Sequence, residues 1–139
     1  MPQPITVNVQ RVDLSARFPV TTTVGASPAA AAETIIGTLN IPLFGDTTVI
    51  SGIQLNGWAA YTVGGSGTAV TVRIRQTNVT GTVVVSTGAL SKTAGNLYVD
   101  DIAGTDVAPG VAVYVLTMQV TSGASPSTVS ALSLSAVVV

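Results

Sequence analysis

Apolar and polar residues alternate along most of this chain with a period of two. Ile53, Leu55 and Ala59 fall on one side of such a pattern, and Gln54 and Asn56 fall on the other. Because successive side chains of a β-strand point to opposite faces, this alternation predicts strands that are buried on one side. The same reasoning along the whole chain predicts strands at 5–9, 18–24, 34–41, 53–61, 70–75, 82–87, 97–99, 111–120 and 129–139.

Glycine, proline and asparagine mark the connections between these segments. The stretches 64–67 and 78–81 predict tight turns, and 100–110, which contains two glycines and a proline, predicts a long loop. Many short strands with closely spaced turns indicate an all-β protein, so we predict one jelly-roll-type antiparallel β-sandwich domain over residues 1–139. Residues 1–17 are either an N-terminal arm that reaches onto a neighbour or a first strand followed by a polar turn.

Composition supports strands and argues against several functional classes. The 139 residues include 23 Val, 20 Thr and 8 Ile, and β-branched residues favour strands. The absence of His and Cys removes the usual proton shuttle, the thiolate nucleophile and the ligands of structural zinc. Charged residues are only 8% and the net charge is −1, which gives no electrostatic basis for binding nucleic acid. We therefore expect no enzyme activity, no cofactor and no nucleic-acid partner.

The chain also lacks the patterns of membrane targeting. Its first residues have no basic segment followed by an apolar run, so we see no signal peptide. No uninterrupted apolar run approaches the roughly 18 residues of a membrane span. We therefore expect no membrane partner.

Charge is distributed unevenly, and the stretch from Val107 to Val139 has none. Monomeric proteins normally carry mixed charge over their surface. This stretch therefore favours late strands that are covered by neighbouring subunits, with a neutral surface of Thr, Ser and Gly as the alternative. On the first interpretation, the subunit interface contains the apolar residues Val111, Val113, Tyr114, Leu116, Leu132 and Leu134.

Five side chains are candidates for contacts with a partner. Arg73 and Arg75 share one face of a predicted strand, where they can bind a carboxylate of a neighbour or pair with an aspartate of the same chain. Arg11 and Arg17 place basic charge near the N-terminus. Trp58, the single tryptophan, is either a core residue or an exposed anchor for a protein or a sugar.

Three acidic residues, Asp100, Asp101 and Asp106, fall in the predicted long loop. Oxygen-rich loops can bind Ca²⁺ through carboxylates and backbone carbonyls. Their spacing does not match the EF-hand pattern, so solvated carboxylates are favoured over a calcium site.

Several features of the chain resemble the small jelly-roll proteins of viral and phage particles, in particular trimeric capsid decoration (cement) proteins. These features are the low charge, the richness in Thr, Val, Ala and Gly, the strand at 70–75, the passage Pro-Gly-Val-Ala-Val-Tyr-Val-Leu at 109–116 and the closing strand. The Pro-Gly-x-x-x-Tyr-x-Leu step is also similar to tumour-necrosis-factor-like and spore-surface trimers. The resemblance implies a homotrimer whose late strands pack about the threefold axis. It also implies binding to a major capsid protein or another virion component.

We therefore predict a structural virion protein, located on the capsid surface, that stabilises a viral or phage particle through non-covalent subunit contacts. One alternative is a phage tail-tip, receptor-binding or carbohydrate-binding module, which needs an exposed pocket or loop that carries Trp58 or the 100–106 acids. The other is a filament or pilus subunit, in which a terminal strand completes a neighbour's sheet.

Overall fold

The computed structural model describes residues 20–22, 28, 32–41, 52–64, 68–107, 113–120 and 127–138. Within these residues the chain forms β-strands and no helix, which confirms the predicted all-β class. The strands are β1 (Val20–Thr22), β2 (Glu33–Asn40), β3 (Ile53–Thr62), β4 (Thr68–Gln76), β5 (Val83–Ser86), β6 (Leu90–Lys92), β7 (Leu97–Asp106), β8 (Val113–Val120) and β9 (Thr128–Val138). Among the described residues there is accordingly no helix with the length and hydropathy needed to span a membrane.

The strands form two antiparallel sheets that pack as a sandwich, as predicted. In the larger sheet the order is β1-β2-β8-β4, and the short strands β5 and β6 both pair with the remaining edge of β4. In the smaller sheet the order is β7-β3-β9. The chain passes repeatedly from one sheet to the other, so β8 and β9 each pair with strands that are distant in sequence.

The hydrophobic core lies between the facing sides of the two sheets. Alternation along β3 explains its formation, because residues at odd positions from Ile53 to Tyr61 are buried while Gln54 and Asn56 are exposed. Gly57 allows a close approach at the centre, since a Cβ there would lie 3.3 Å from Leu116 Cδ1. Other fully buried core side chains are Ile36, Leu39, Leu55, Val70, Val72, Ile74, Tyr114, Met118, Val120 and Leu134.

The predicted loop at 100–110 is corrected over its first part. Strand β7 continues to Asp106, and each of its ten residues pairs with β3 without a register shift. Gly104 does not break the strand because it lies against β5, where a Cβ would come within 2.7 Å of Val85 Cβ. The glycine therefore serves the packing of the two sheets rather than a turn.

The late strands are buried by this chain itself. Tyr114 and Leu116 are 0% exposed in β8, which lies between β2 and β4. Leu132 and Leu134 face the same core from β9. These four side chains are not accessible to a neighbouring subunit, which corrects their assignment to a subunit interface: within the uncharged stretch, β8 and β9 supply residues of this sandwich's own core. Val113 is half-buried.

Candidate functional site

The most exposed large apolar side chains of the described residues follow one edge of the smaller sheet. Leu97 and Val99 in β7 are 64% and 63% exposed, and Val107, directly after the strand, is 79% exposed. Trp58 in the adjacent strand β3 is 38% exposed, so it is a surface residue rather than a core residue. Leu97, Val99 and Trp58 lie on the side of the sheet that faces away from the core, which we call the outer face.

The register of the smaller sheet places an aromatic ring beside polar groups. Trp58 lies opposite Asp101 of β7 and opposite Ser133 of β9. In the neighbouring row, Asn56 lies opposite Ala103 and Ser135. These two rows form a shallow depression of about 330 Å³, lined by Asn56, Gly57, Trp58, Asp101, Ile102, Ala103, Ser133 and Ser135.

The depression combines an exposed indole with a carboxylate, an amide and hydroxyls. An indole offers a large apolar surface to a flat ligand. A carboxylate accepts hydrogen bonds, and an amide both donates and accepts them, in each case in defined directions. Chemically, the outer face can therefore bury an apolar partner along β7 or bind a polyhydroxylated ligand at Trp58.

Asp100 lies on the opposite side of β7 from Asp101 and joins two other strands. Its Oδ2 accepts a hydrogen bond from Tyr61 Oη at 2.5 Å, and its Oδ1 lies 2.8 Å from Lys92 Nζ. The Lys92 ammonium also sits 4.5 Å from the centre of the Tyr98 ring. Because Lys92 belongs to the larger sheet, this ion pair ties β7 to that sheet.

Asp106 makes a second connection between the sheets. Its Oδ2 accepts hydrogen bonds from Tyr114 Oη at 2.7 Å and from Gln76 Nε2 at 2.6 Å, although Asp106 itself is only 7% exposed. Burial, and then the hydrogen bond to a carboxylate, raises the pKa of Tyr114 and likewise that of Tyr61. Both phenols therefore stay protonated near neutral pH and remain donors to β7.

These placements correct the candidate calcium site. Asp100 and Asp106 face inward and are bonded to their own chain, whereas Asp101 faces outward. Across the described residues there is no group of three His, Cys, Asp or Glu side chains that could hold a metal ion. The sequence predicted one loop for these three acids. They lie in strand β7 instead, where Asp101 is on the opposite face from Asp100 and Asp106.

The two candidate arginines are bound by Glu33 at the start of β2. Arg75 Nε and Nη2 lie 2.6 and 2.8 Å from the two carboxylate oxygens, and Arg73 Nη1 lies 3.3 Å from one of them. Arg73 also donates to Gln119 Oε1 at 2.9 Å, and Thr117 Oγ1 donates to Glu33 at 2.6 Å. The same-chain alternative thus holds for Arg73 and Arg75, with a glutamate in place of the expected aspartate.

Glu33 stays ionised despite its position. Burial alone would raise the pKa of this carboxyl, but the hydrogen bonds from Arg75 and Thr117 and the charge of Arg73 outweigh it and hold the pKa below its ordinary value. The cluster lies on the outer side of the larger sheet, so it stabilises β2, β4 and β8 relative to one another. Of the remaining candidates, Arg11, Arg17 and Val111 lie outside the described residues.

Comparison with known proteins identifies the fold. No protein-family model matches the sequence, and no curated protein sequence matches it either. A crystal structure of the T13 particle of infectious bursal disease virus matches with a TM-score of 0.59 and 14% identity over 99% of this chain and 35% of that chain. A structure of the Gx strain of the same virus matches with a TM-score of 0.55 and 15% identity, over 99% of this chain and 38% of that chain.

A third, weaker likeness is to a Bacillus endospore appendage pilus, with a TM-score of 0.44, 14% identity, and coverage of 99% of this chain and 97% of the other. The chain spans less than two fifths of the length of the viral chains that it matches. At these identities the viral matches establish a shared β-sandwich fold.

Proposed function

We propose that this protein is a structural subunit of a viral or phage particle and contacts its neighbours non-covalently through the outer face of the smaller sheet. The observation that carries the proposal is the group of exposed apolar side chains Leu97, Val99 and Trp58, which lie near one another on the outer face. Contiguous exposed apolar side chains mark interaction sites on proteins whose other apolar residues are buried. The fold shared with a protein of the infectious bursal disease virus particle supports the location.

The energy of such a contact is modest for one subunit and large for a lattice. Burial of apolar surface contributes about 25 cal/mol per Å², from which the cost of association must be subtracted. Repetition around a particle adds avidity without strengthening any single contact. A subunit that stabilises a shell therefore needs only a weak, well-placed apolar face and no catalytic residues.

The location of the contact differs from the one that the sequence suggested. Tyr114, Leu116, Leu132 and Leu134 face this chain's own core, so they cannot line a threefold axis. Neighbours of this subunit, whether further copies or a major capsid protein, would instead cover β7 and its outer face. The symmetry of the assembly then follows from the way in which this face is paired.

The double substitution Leu97→Thr with Val99→Thr tests the proposal. Threonine keeps the β-branched shape that strands favour and removes apolar surface. We expect the wild-type protein to self-associate with rising concentration in sedimentation velocity. The double variant should associate at least about tenfold more weakly, because about 1.4 kcal/mol of lost burial suffices for that change.

Val83→Thr is the matched control, because Val83 is 40% exposed but lies in the larger sheet. It should associate like the wild type, and all three proteins should unfold at similar urea concentrations. Equal association of the wild type and the double variant would contradict the proposal.

The depression at Trp58 favours carbohydrate binding as a second candidate function. Since Trp58 is the only tryptophan, its fluorescence reports directly on occupancy of the site. If the protein binds glycans there, titration with oligosaccharides should change the emission saturably, and Asp101→Ala should abolish the change. Unaltered emission across a panel of neutral and acidic oligosaccharides would exclude this function while leaving the assembly proposal standing.

A further inference from the structure

We propose that β7 pairs antiparallel with β7 of a second copy, about a twofold axis at Ile102, so that two three-stranded sheets join into one sheet of six strands. This inference rests on the proposed function and identifies the first neighbour of the outer face as another copy of the chain. It is carried by three features of β7: an edge that pairs with no other described strand, its exposed apolar positions and the placement of its carboxylates.

The edge of β7 is a regular template for a further strand. Within the described residues β7 pairs with β3 alone, through ten consecutive residue pairs without a bulge. It contains no proline and no lysine. Proline, bulges and charged side chains are the devices by which proteins normally protect exposed edges from pairing. Of these, β7 has only its three aspartates, which limit the alignments that a second copy can take. The opposite edge strand β9 differs in that its pairing with β3 has a register shift beside Ala60.

Side-chain direction restricts how two copies of β7 can align. Leu97, Val99, Asp101, Ala103 and Thr105 occupy the outer face, and the intervening residues face inward. Two sandwiches joined edge to edge must keep outer faces on the same side of the continuous sheet. In an antiparallel pair, outer residues must then lie opposite outer residues. Because the outer positions are all odd, the two position numbers of each pair add up to one even number, which is twice the position of the axis.

Charge selects one register among those that use most of the strand. An axis at position 101 places Asp101 opposite its own copy, and an axis at position 100 does the same for Asp100. An axis at position 103 places Asp100 opposite Asp106. Like charges directly opposite each other destabilise strand pairing. An axis at Ile102 avoids all three conflicts, because Asp100 then lies opposite Gly104 of the second copy.

The selected register also brings the exposed apolar residues into contact across the new strand pair. Leu97 lies opposite Val107 of the second copy, Val99 lies opposite Thr105, and Ala103 lies opposite Asp101. The three most exposed large apolar side chains of the described residues are thus brought into cross-strand pairs in one step. Main-chain groups on the side of β7 that faces away from β3 form hydrogen bonds with the second copy in the same step.

Engineered cysteines test the register, because the chain has none of its own. Residues that lie directly opposite each other in an antiparallel pair have Cα atoms within disulfide range. The variant V99C/T105C should therefore form a dimer with two disulfides on mild oxidation, each joining position 99 of one chain to position 105 of the other. Within one chain these positions are about 20 Å apart along the strand, so they cannot bridge internally.

Two controls separate this register from chance collision and from other alignments. V99C alone should give little covalent dimer, because position 99 of the second copy lies about 20 Å away. L97C/A103C should also give little, since joining position 97 to position 103 needs an axis at position 100, and joining either position to its own copy needs an axis at 97 or 103. Digestion with endoproteinase Asp-N, which cleaves before Asp100 and Asp101 and so separates position 99 from position 105, followed by mass spectrometry, identifies the joined positions.

The outcomes distinguish this inference from the function on which it rests. If the wild type self-associates but V99C/T105C stays uncrosslinked, or if L97C/A103C crosslinks equally well, the twofold β7 pairing is wrong while the outer-face contact stands. If the wild type remains monomeric at every concentration, self-association through the outer face and the β7 pairing both fail. A contact of the outer face with another virion protein is then the only form of the proposed function that is left.

Discussion

Replacing Leu116 with alanine should lower the free energy of unfolding by about 3–4 kcal/mol, the largest loss we expect from a single truncation. Leu116 is 0% exposed at the centre of β8, and its Cδ1 approaches the position that a Cβ on Gly57 would take in the opposite sheet. Because backbone lies on both sides, the sheets cannot collapse fully into the space left by the lost methyl groups. Urea denaturation followed by tyrosine and tryptophan fluorescence measures the change.

Val113→Ala is the matched control on the same strand. Val113 is only half-buried, so the loss should be about 1 kcal/mol or less. If Leu116→Ala left the unfolding transition in place and instead dissociated an oligomer, Leu116 would belong to a subunit interface. The position of the core described above would then be wrong.

Asp106→Ala should lower the free energy of unfolding by about 2–3 kcal/mol. The substitution removes the acceptor of both the Tyr114 hydroxyl and the Gln76 amide. A buried donor left without a partner costs about 1–3 kcal/mol, and partial hydration of Gln76 offsets part of the sum. Asp101 lies five residues away on the exposed side of the same strand. Asp101→Ala should therefore change stability by less than about 0.5 kcal/mol.

A double-mutant cycle with Tyr114→Phe identifies the source of this loss. Phenylalanine removes the buried hydroxyl, so the combined variant should be more stable than the sum of the two single losses predicts. Strict additivity would mean that Asp106 stabilises the protein through other contacts, and the connection from β7 to β8 would have to be reassigned.

The alternation of side chains predicted the strands best where one face is buried and the other is wet. In β3, buried Leu55 and Ala59 alternate with exposed Gln54 and Asn56, so the boundaries 53–61 agree closely with Ile53–Thr62. Strand β7 lacks this pattern for two reasons. Its inward positions include acids that are bonded to Tyr61 and Tyr114, and its outward positions include the apolar Leu97 and Val99. The apparent loop is a strand whose polarity is partly inverted.

The candidate site was less accessible to sequence reasoning than the fold. A run of apolar residues without charge has the same composition in a core and in an interface, and only the pairing of β8 between β2 and β4 decides in favour of the core. Glu33 lies about forty residues from the arginines that bind it, so no local spacing could reveal the pair. Leu97 and Val99, in contrast, were predicted to lie in a strand, but the sequence did not indicate that their side chains point away from the core.

The central claim is that the outer face along β7 is a contact between subunits, and sedimentation velocity of the wild-type protein over a hundredfold range of concentration tests it most directly. We predict a weight-average sedimentation coefficient that rises with concentration, and a rise that is lost in Leu97→Thr/Val99→Thr but kept in Val83→Thr. A single monomeric boundary at every concentration, or the same rise in all three proteins, would contradict the claim.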